Sequence, residues 1–326
     1  MPSPNRRRFL RHAAALAAAT GSAAIDRRAV AEGPEEHARA GTDPIPIVDT
    51  HQHLWDLQRF SLAWIEPGSP LDRDFLMADY RTATAGLGVV KSVYMEVDVI
   101  PAQQVAEAEW AIGVCEAGMT PMVGAVISGR PASEGFAAYL ARFRDRRPVK
   151  GLRQVLHAST TPPGYGLDPA FIRGLRLLGE AGLSFDLCMR PAELPDAARL
   201  IDACPGTAFI LDHCGNADVR ARDRSRWRDD IARVAERPNV ACKVSGIVAS
   251  ARGTPWTADD LAPIVDHVLD AFGPDRVVFG GDWPVCTLAA TYRQWVDALR
   301  AIVRARPAAV QRKLFHDNAL RIYRLT

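Results

Sequence analysis

Apolar residues recur along this chain in two alternating rhythms, and their order is the first structural statement the sequence makes. Short runs rich in β-branched residues predict strands at 45–49, 89–97, 122–127, 149–156, 183–189, 208–211, 240–244 and 277–280. Between them, segments with helical spacing of apolar positions fall at 72–87, 102–118, 133–146, 168–181, 191–203, 224–236, 257–272 and 291–304. Boundary residues agree: Asp168 before Pro169 starts one helix, Gly182 follows its end, and Thr257 caps another. Eight strands alternating with eight helices over one domain's length predict a parallel sheet closed into a single (β/α)8 barrel. An open doubly wound sheet is the alternative. The count of eight and the lack of a Gly-rich phosphate loop after the first strand speak against it. The irregular stretch 56–70, with Trp64, Pro67 and Pro70, predicts a loop over the barrel mouth.

The N-terminus follows another pattern. Arg6-Arg7-Arg8-Phe9-Leu10-Arg11, an Ala-rich apolar run from 13 to 25, and Ala29-Val30-Ala31 together predict a twin-arginine (Tat) signal peptide over 1–31. A polar arm at 32–44 and the barrel domain at 45–326 would follow, giving a periplasmic or secreted protein. The apolar run is too short for a permanent membrane anchor. Removing 1–31 takes away six arginines and one aspartate and turns the formal net charge from +2 to −3. No basic excess for nucleic acid is left. The six cysteines show no CxxC spacing, and three lie inside strand runs, so mostly free thiols are expected.

In such a barrel the chemistry sits at the C-terminal ends of the strands. Those ends carry His51 and His53, Glu96 and Asp98, Arg153 and His157, Asp186 and Arg190, Asp212 and His213, Lys243 and Ser245, and Asp282. In His51-Gln52-His53 the period of a strand puts both imidazoles on one face. Two imidazoles there suit a metal or an anionic oxygen. Asp282, after two glycines and before Trp283-Pro284, can take a proton from water or cap a turn. Lys150 and Lys243 suit the barrel interior, paired with acids such as Asp186. Trp55 and Trp283 are candidates to stack on a sugar face or to pack in the core.

The stretches Asp49-Thr50-His51-Gln52-His53-Leu54-Trp55-Asp56, Lys150-Gly151-Leu152-Arg153-Gln154-Val155-Leu156 and Leu211-Asp212-His213-Cys214-Gly215 resemble the amidohydrolase superfamily. So do Lys243-Val244-Ser245-Gly246, Phe279-Gly280-Gly281-Asp282-Trp283-Pro284 and Asn318-Ala319. Within it the chain is similar to the sugar-lactone lactonase branch, across about 45–325. The resemblance implies a hydrolase that opens a small-molecule lactone, with Asp282 as general base for water. His51, His53 and His213 match rim histidines that hold a divalent metal or the substrate. Arg153 matches a position suited to grip a carbonyl or carboxylate oxygen through a bidentate fork, and His157 could orient the leaving oxygen. Metal-dependent relatives add a histidine at the fifth strand end, where this chain has Phe185-Asp186-Leu187-Cys188-Met189-Arg190. That leaves His51, His53 and Asp282, with Glu96 as a substitute ligand; the metal stays open, and Zn²⁺ is the ion such a set favours. Gly281 stands where serine is commoner. A decarboxylase or C–C hydrolase of aromatic acids, and an exported carbohydrate-binding protein on an inactive barrel, are the competing readings. The sequence leaves the oligomeric state open.

Overall fold

The computed structural model describes residues 45–325; the expected signal peptide and arm lie outside them. Eight parallel strands pair in chain order: β1 (Ile47–Gln52), β2 (Val89–Met95), β3 (Met122–Ser128), β4 (Val149–Val155), β5 (Ser184–Cys188), β6 (Ala208–Leu211), β7 (Val240–Val244) and β8 (Val277–Phe279). A parallel bridge between Gln52 and Trp283 brings the first and last strand ends together, so the sheet is a nearly closed (β/α)8 barrel.

Each strand is followed by a helix that packs outside the sheet: α1 (Met77–Thr84), α2 (Gln104–Ala117), α3 (Phe136–Phe143), α4 (Pro169–Glu180), α5 (Leu194–Ala203), α6 (Ser225–Ala235), α7 (Ala258–Phe272) and α8 (Tyr292–Val303). Asp168 caps α4 by accepting from the Ala170 amide, with Pro169 in the first turn. Thr257 and Asp260 form a capping box at α7, as Thr291 and Gln294 do at α8. α1 is shorter than its apolar pattern suggests, because the chain bends at 72–73 and Phe75 then pairs with Trp55 before the helix starts. No helix among the described residues is long and apolar enough to cross a membrane.

The core has two parts. Between sheet and helices lies a large apolar layer. Inside the barrel, Val48, Val93, Met95, Val126, Ile210 and Val278 meet Ala319, Tyr323 and Leu325 of the C-terminal segment. That segment lies at the starts of the strands, where Lys150 at the head of β4 donates to the Arg324 carbonyl at 3.3 Å. Lys150 therefore does not pair with Asp186, which is level with Arg153, three residues further along β4. The six cysteines are all unpaired.

Candidate active site

β1 runs three residues further than its apolar pattern suggests, so His51 is inside the strand and wholly buried, with His53 just beyond its end. The closing strand follows alongside: the Asp282 amide donates to the His51 carbonyl at 2.8 Å, and the His53 amide to the Trp283 carbonyl at 2.8 Å. Two glycines allow this approach. A Cβ at Gly280 would lie 2.7 Å from His51 Cβ, and one at Gly281 would lie 2.3 Å from the Tyr292 ring and 2.6 Å from Asp49 Oδ2. Serine therefore does not fit at 281 as the chain is packed. Asp49 fastens the junction. Its Oδ1 accepts from the amides of His51 (3.0 Å) and Gly281 (2.7 Å), and its Oδ2 from the hydroxyls of Tyr80 (2.9 Å) and Tyr292 (3.0 Å). Burial raises its pKa despite those donors.

The result is a tight triangle. His51 Nε2 and His53 Nε2 are 3.2 Å apart, and Asp282 Oδ1 lies 3.6 Å from the first and 3.5 Å from the second. An ion bound tetrahedrally at 2.0–2.1 Å needs ligand atoms about 3.3–3.4 Å apart. The three residues therefore fit a divalent metal. His53 Nδ1 is 2.9 Å from the Met95 carbonyl, which places its proton there and leaves the Nε2 lone pair facing the triangle.

A second grouping of His51, Asp212 and His213 also has ligand atoms close together. It is already served by a cation: Lys243 Nζ lies 2.9 Å from Asp212 Oδ1, 2.6 Å from Asp186 Oδ2 and 3.2 Å from His51 Nδ1. The expected Lys243–Asp186 pair is thus present, inside a larger network. Burial and the Lys243 ammonium pull the His51 pKa well down, so its ring is neutral. Burial opposes the charge of Asp212, but Lys243 and His51 hold its pKa well below the carboxylate range. Asp186 goes the other way: burial outweighs Lys243 and lifts it to about 6.

His213 follows β6, and its ring centroid is 4.5 Å from that of His51. Its Nδ1 is 2.8 Å from Ser245 Oγ. Burial works against its charge, yet Asp282, Cys188 and Asp212 bring its pKa above the usual range.

Several expected roles change. Arg153 Nε donates to Glu96 Oε1 at 2.6 Å and its Nη2 to the Glu96 carbonyl at 2.7 Å. Glu96 Oε2 accepts from the Asp98 amide. Glu96 is therefore an anchor for Arg153 and not a substitute metal ligand. The Arg153 fork faces Glu96 as well, so the bidentate grip on substrate is not available. Only Nη1 points inward, 3.4 Å from His51 Nε2 and 3.6 Å from Asp212 Oδ2. Trp55 and Trp283 are core residues. Trp55 donates to the Arg73 carbonyl and packs on Phe75, while Trp283 lies edge-on to Phe75 and Tyr80. Neither reaches the cavity.

That cavity, about 560 Å³, opens above the triangle. Its wall includes His53, Arg153, His157, His213 and Asp282, together with Trp64 from the loop predicted to cover the mouth. His51 sits beneath it. At the end of β5, where a ligand histidine is absent, Cys188 forms part of the wall. Asp98 and Trp64, expected at a strand end and in the mouth loop but given no role there, both line the cavity, and Asp49 was given none either. Asp49 had a signal, since it shares strand parity with His51 and His53.

The family profile described as amidohydrolase matches residues 48–325. The chain belongs to the amidohydrolase family. It is 30% identical over 291 residues to an L-fucono-1,5-lactonase of Burkholderia multivorans, covering 85% of this chain and 96% of that one. It is 23% identical to an L-rhamnono-gamma-lactonase of Scheffersomyces stipitis, covering 86% and 98%. A crystal structure of an amidohydrolase from Burkholderia multivorans with bound zinc superposes with a TM-score of 0.77 at 27% identity, covering 86% of this chain and all of that one.

Proposed function

We propose that this amidohydrolase opens the lactone of a sugar acid or a related carboxylic acid, with Asp282 as general base. The carrying observation is the convergence of Asp282 Oδ1 on His51 and His53 at 3.5–3.6 Å in the wall of a cavity large enough for one small ring. Lactone-opening relatives support the substrate class.

In this reading a water beside Asp282 gives its proton to the carboxylate oxygen that does not face the histidines. Its oxygen bonds to the lactone carbonyl carbon. Arg153 Nη1 and the charged ring of His213 stabilise the oxyanion that forms, each such donor contributing about 3 kcal/mol. Collapse of the tetrahedral centre breaks the ring C–O bond. The proton passes to the departing oxygen near His157, and a hydroxy acid leaves. His51, His53 and Asp282 would hold a divalent ion, Zn²⁺ being the one this donor set suits, and such an ion supplies carbonyl polarisation and a more acidic water.

Asp282→Asn should lower turnover of a panel of aldonolactones about 10²–10⁴-fold, read with a pH indicator. Undiminished turnover would remove Asp282 from this role. Running the panel with and without chelator, on protein assayed for bound metal, tests the ion: loss on chelation and recovery with Zn²⁺ is the expected result. The twin-arginine segment supports export, which cell fractionation with a Lys-Lys replacement of Arg7 and Arg8 would test.

A further inference from the structure

The cavity wall contains two carboxylates, Asp98 and Asp282, and among its described residues a single guanidinium, Arg153. That guanidinium is already bound to Glu96. A second, Arg130, comes up behind Asp98 from the loop after β3. Its Nη2 lies 2.9 Å from Asp98 Oδ1, and its Nη1 donates to Ser128 Oγ and the Gly129 carbonyl, both at 3.0 Å. Asp98 is held for this contact in the left-handed region, at φ 50°, with its amide on Glu96 Oε2. An anionic substituent entering beside Asp98 would meet a carboxylate whose guanidinium partner is already committed, because the cationic groups left in the wall, Arg153 Nη1 and His213, are those that face the reacting carbonyl. His157, at the rim, has its pKa lowered by desolvation and by Arg153, and adds no charge.

The other recognition element is aromatic. Trp64 is 40% exposed, an unusual degree for a side chain of its size in a cavity wall. It is not loose: its indole donates to the Val97 carbonyl at 2.7 Å, and it stands edge-on to Trp55 with centroids 5.6 Å apart. A fixed, partly bare indole face is a platform for the C–H face of a ring.

We propose that Asp98 and Trp64 set the substrate class: the cavity selects uncharged lactones, with Asp98 withholding Arg130 from the substrate and Trp64 receiving the apolar ring face. This rests on the lactonase reading. Carboxylated or sulfonated lactones are disfavoured, because like charges brought together in a part-buried site repel strongly.

The test compares kcat/KM for an uncharged aldonolactone and a carboxylated lactone of the same ring size. The full-length protein should prefer the uncharged one by about 100-fold or more. Asp98→Asn keeps a residue type that tolerates the left-handed backbone; it should free Arg130 and narrow the preference about tenfold. Trp64→Ala should raise KM about tenfold, with Trp64→Phe recovering most of it. Equal or better use of the carboxylated lactone by the unaltered protein overturns the inference and leaves the lactonase reading standing. An unchanged preference in Asp98→Asn removes Asp98 from the role, and an unchanged KM in Trp64→Ala removes Trp64. Failure to open either lactone overturns the lactonase reading, and this inference falls with it.

Discussion

Glu107 shows what burial does to one carboxyl away from the chemistry. It sits on α2 beneath the β2 end, where its Oε1 accepts from the Tyr94 hydroxyl at 3.0 Å and the Val97 amide at 2.7 Å. Its Oε2 has no hydrogen-bond partner. Burial and the nearby Glu96 raise its pKa from 4.5 to about 8. The folded chain therefore keeps a proton that the unfolded chain loses above its ordinary pKa. Stability from this group is complete below pH 4.5 and falls as pH rises towards 8. Glu107→Gln keeps the acceptor oxygen and replaces the O–H with an amide. It should flatten the fall, stabilising the protein at pH 8.5 by about 1–2 kcal/mol, or a few degrees of Tm, with little gain at pH 5. Thermal melts of both proteins at the two pH values check this. The same physics explains why indole roles were unreadable. Trp55, Trp64 and Trp283 are alike in the chain, and only their neighbours leave one of them bare.

At the scale of elements, strand ends and the turns after them aim the side chains. Gly246, after β7, has φ 66°, and a Cβ there would lie 2.2 Å from His213 Nδ1. The turn is therefore shaped to leave room for the imidazole, and Ser245 holds that nitrogen. Gly246→Ala adds a disfavoured backbone conformation to a direct collision. It should displace the ring and cut kcat about 10–100-fold while the protein stays folded, checked by lactone turnover beside circular dichroism. Helix caps at Asp168, Thr257 and Thr291 were legible in the chain because they act within a few residues. The truncation of α1 was not, since it depends on Phe75 pairing with Trp55, 20 residues away in sequence.

At the scale of the whole molecule, the barrel is closed twice: at the rim by β1 against the 280–283 stretch, and at the opposite end by the C-terminal segment. Ala319, Tyr323 and Leu325 fill the interior there, and the Tyr323 hydroxyl donates to Asp186 Oδ2 at 2.7 Å, under the Lys243 network. Deleting residues 319–326 would uncover that layer and remove a donor from a buried acid. With each large apolar side chain contributing about 1.5–3 kcal/mol, the loss is comparable with a domain's total stability of about 5–15 kcal/mol. Insoluble expression, or a urea midpoint lowered to near zero, is the expected outcome. Retention of the full midpoint would mean the barrel floor closes without it.

The sequence by itself determined the barrel and the histidine pair. Alternating strand and helix periods, caps and a two-residue spacing are local, so each is written where it acts. It also placed the titratable residues at strand ends, because a parallel barrel presents those ends on one face. What the pair could do was decided only by tertiary structure. His51 meets Asp282 across 231 positions of chain through strand closure, Lys243 occupies the place of a cation beside Asp212, and Glu96 claims the Arg153 fork. Each is a competition between buried charges for one partner, and its outcome depends on distances of a few tenths of an ångström that no periodicity encodes.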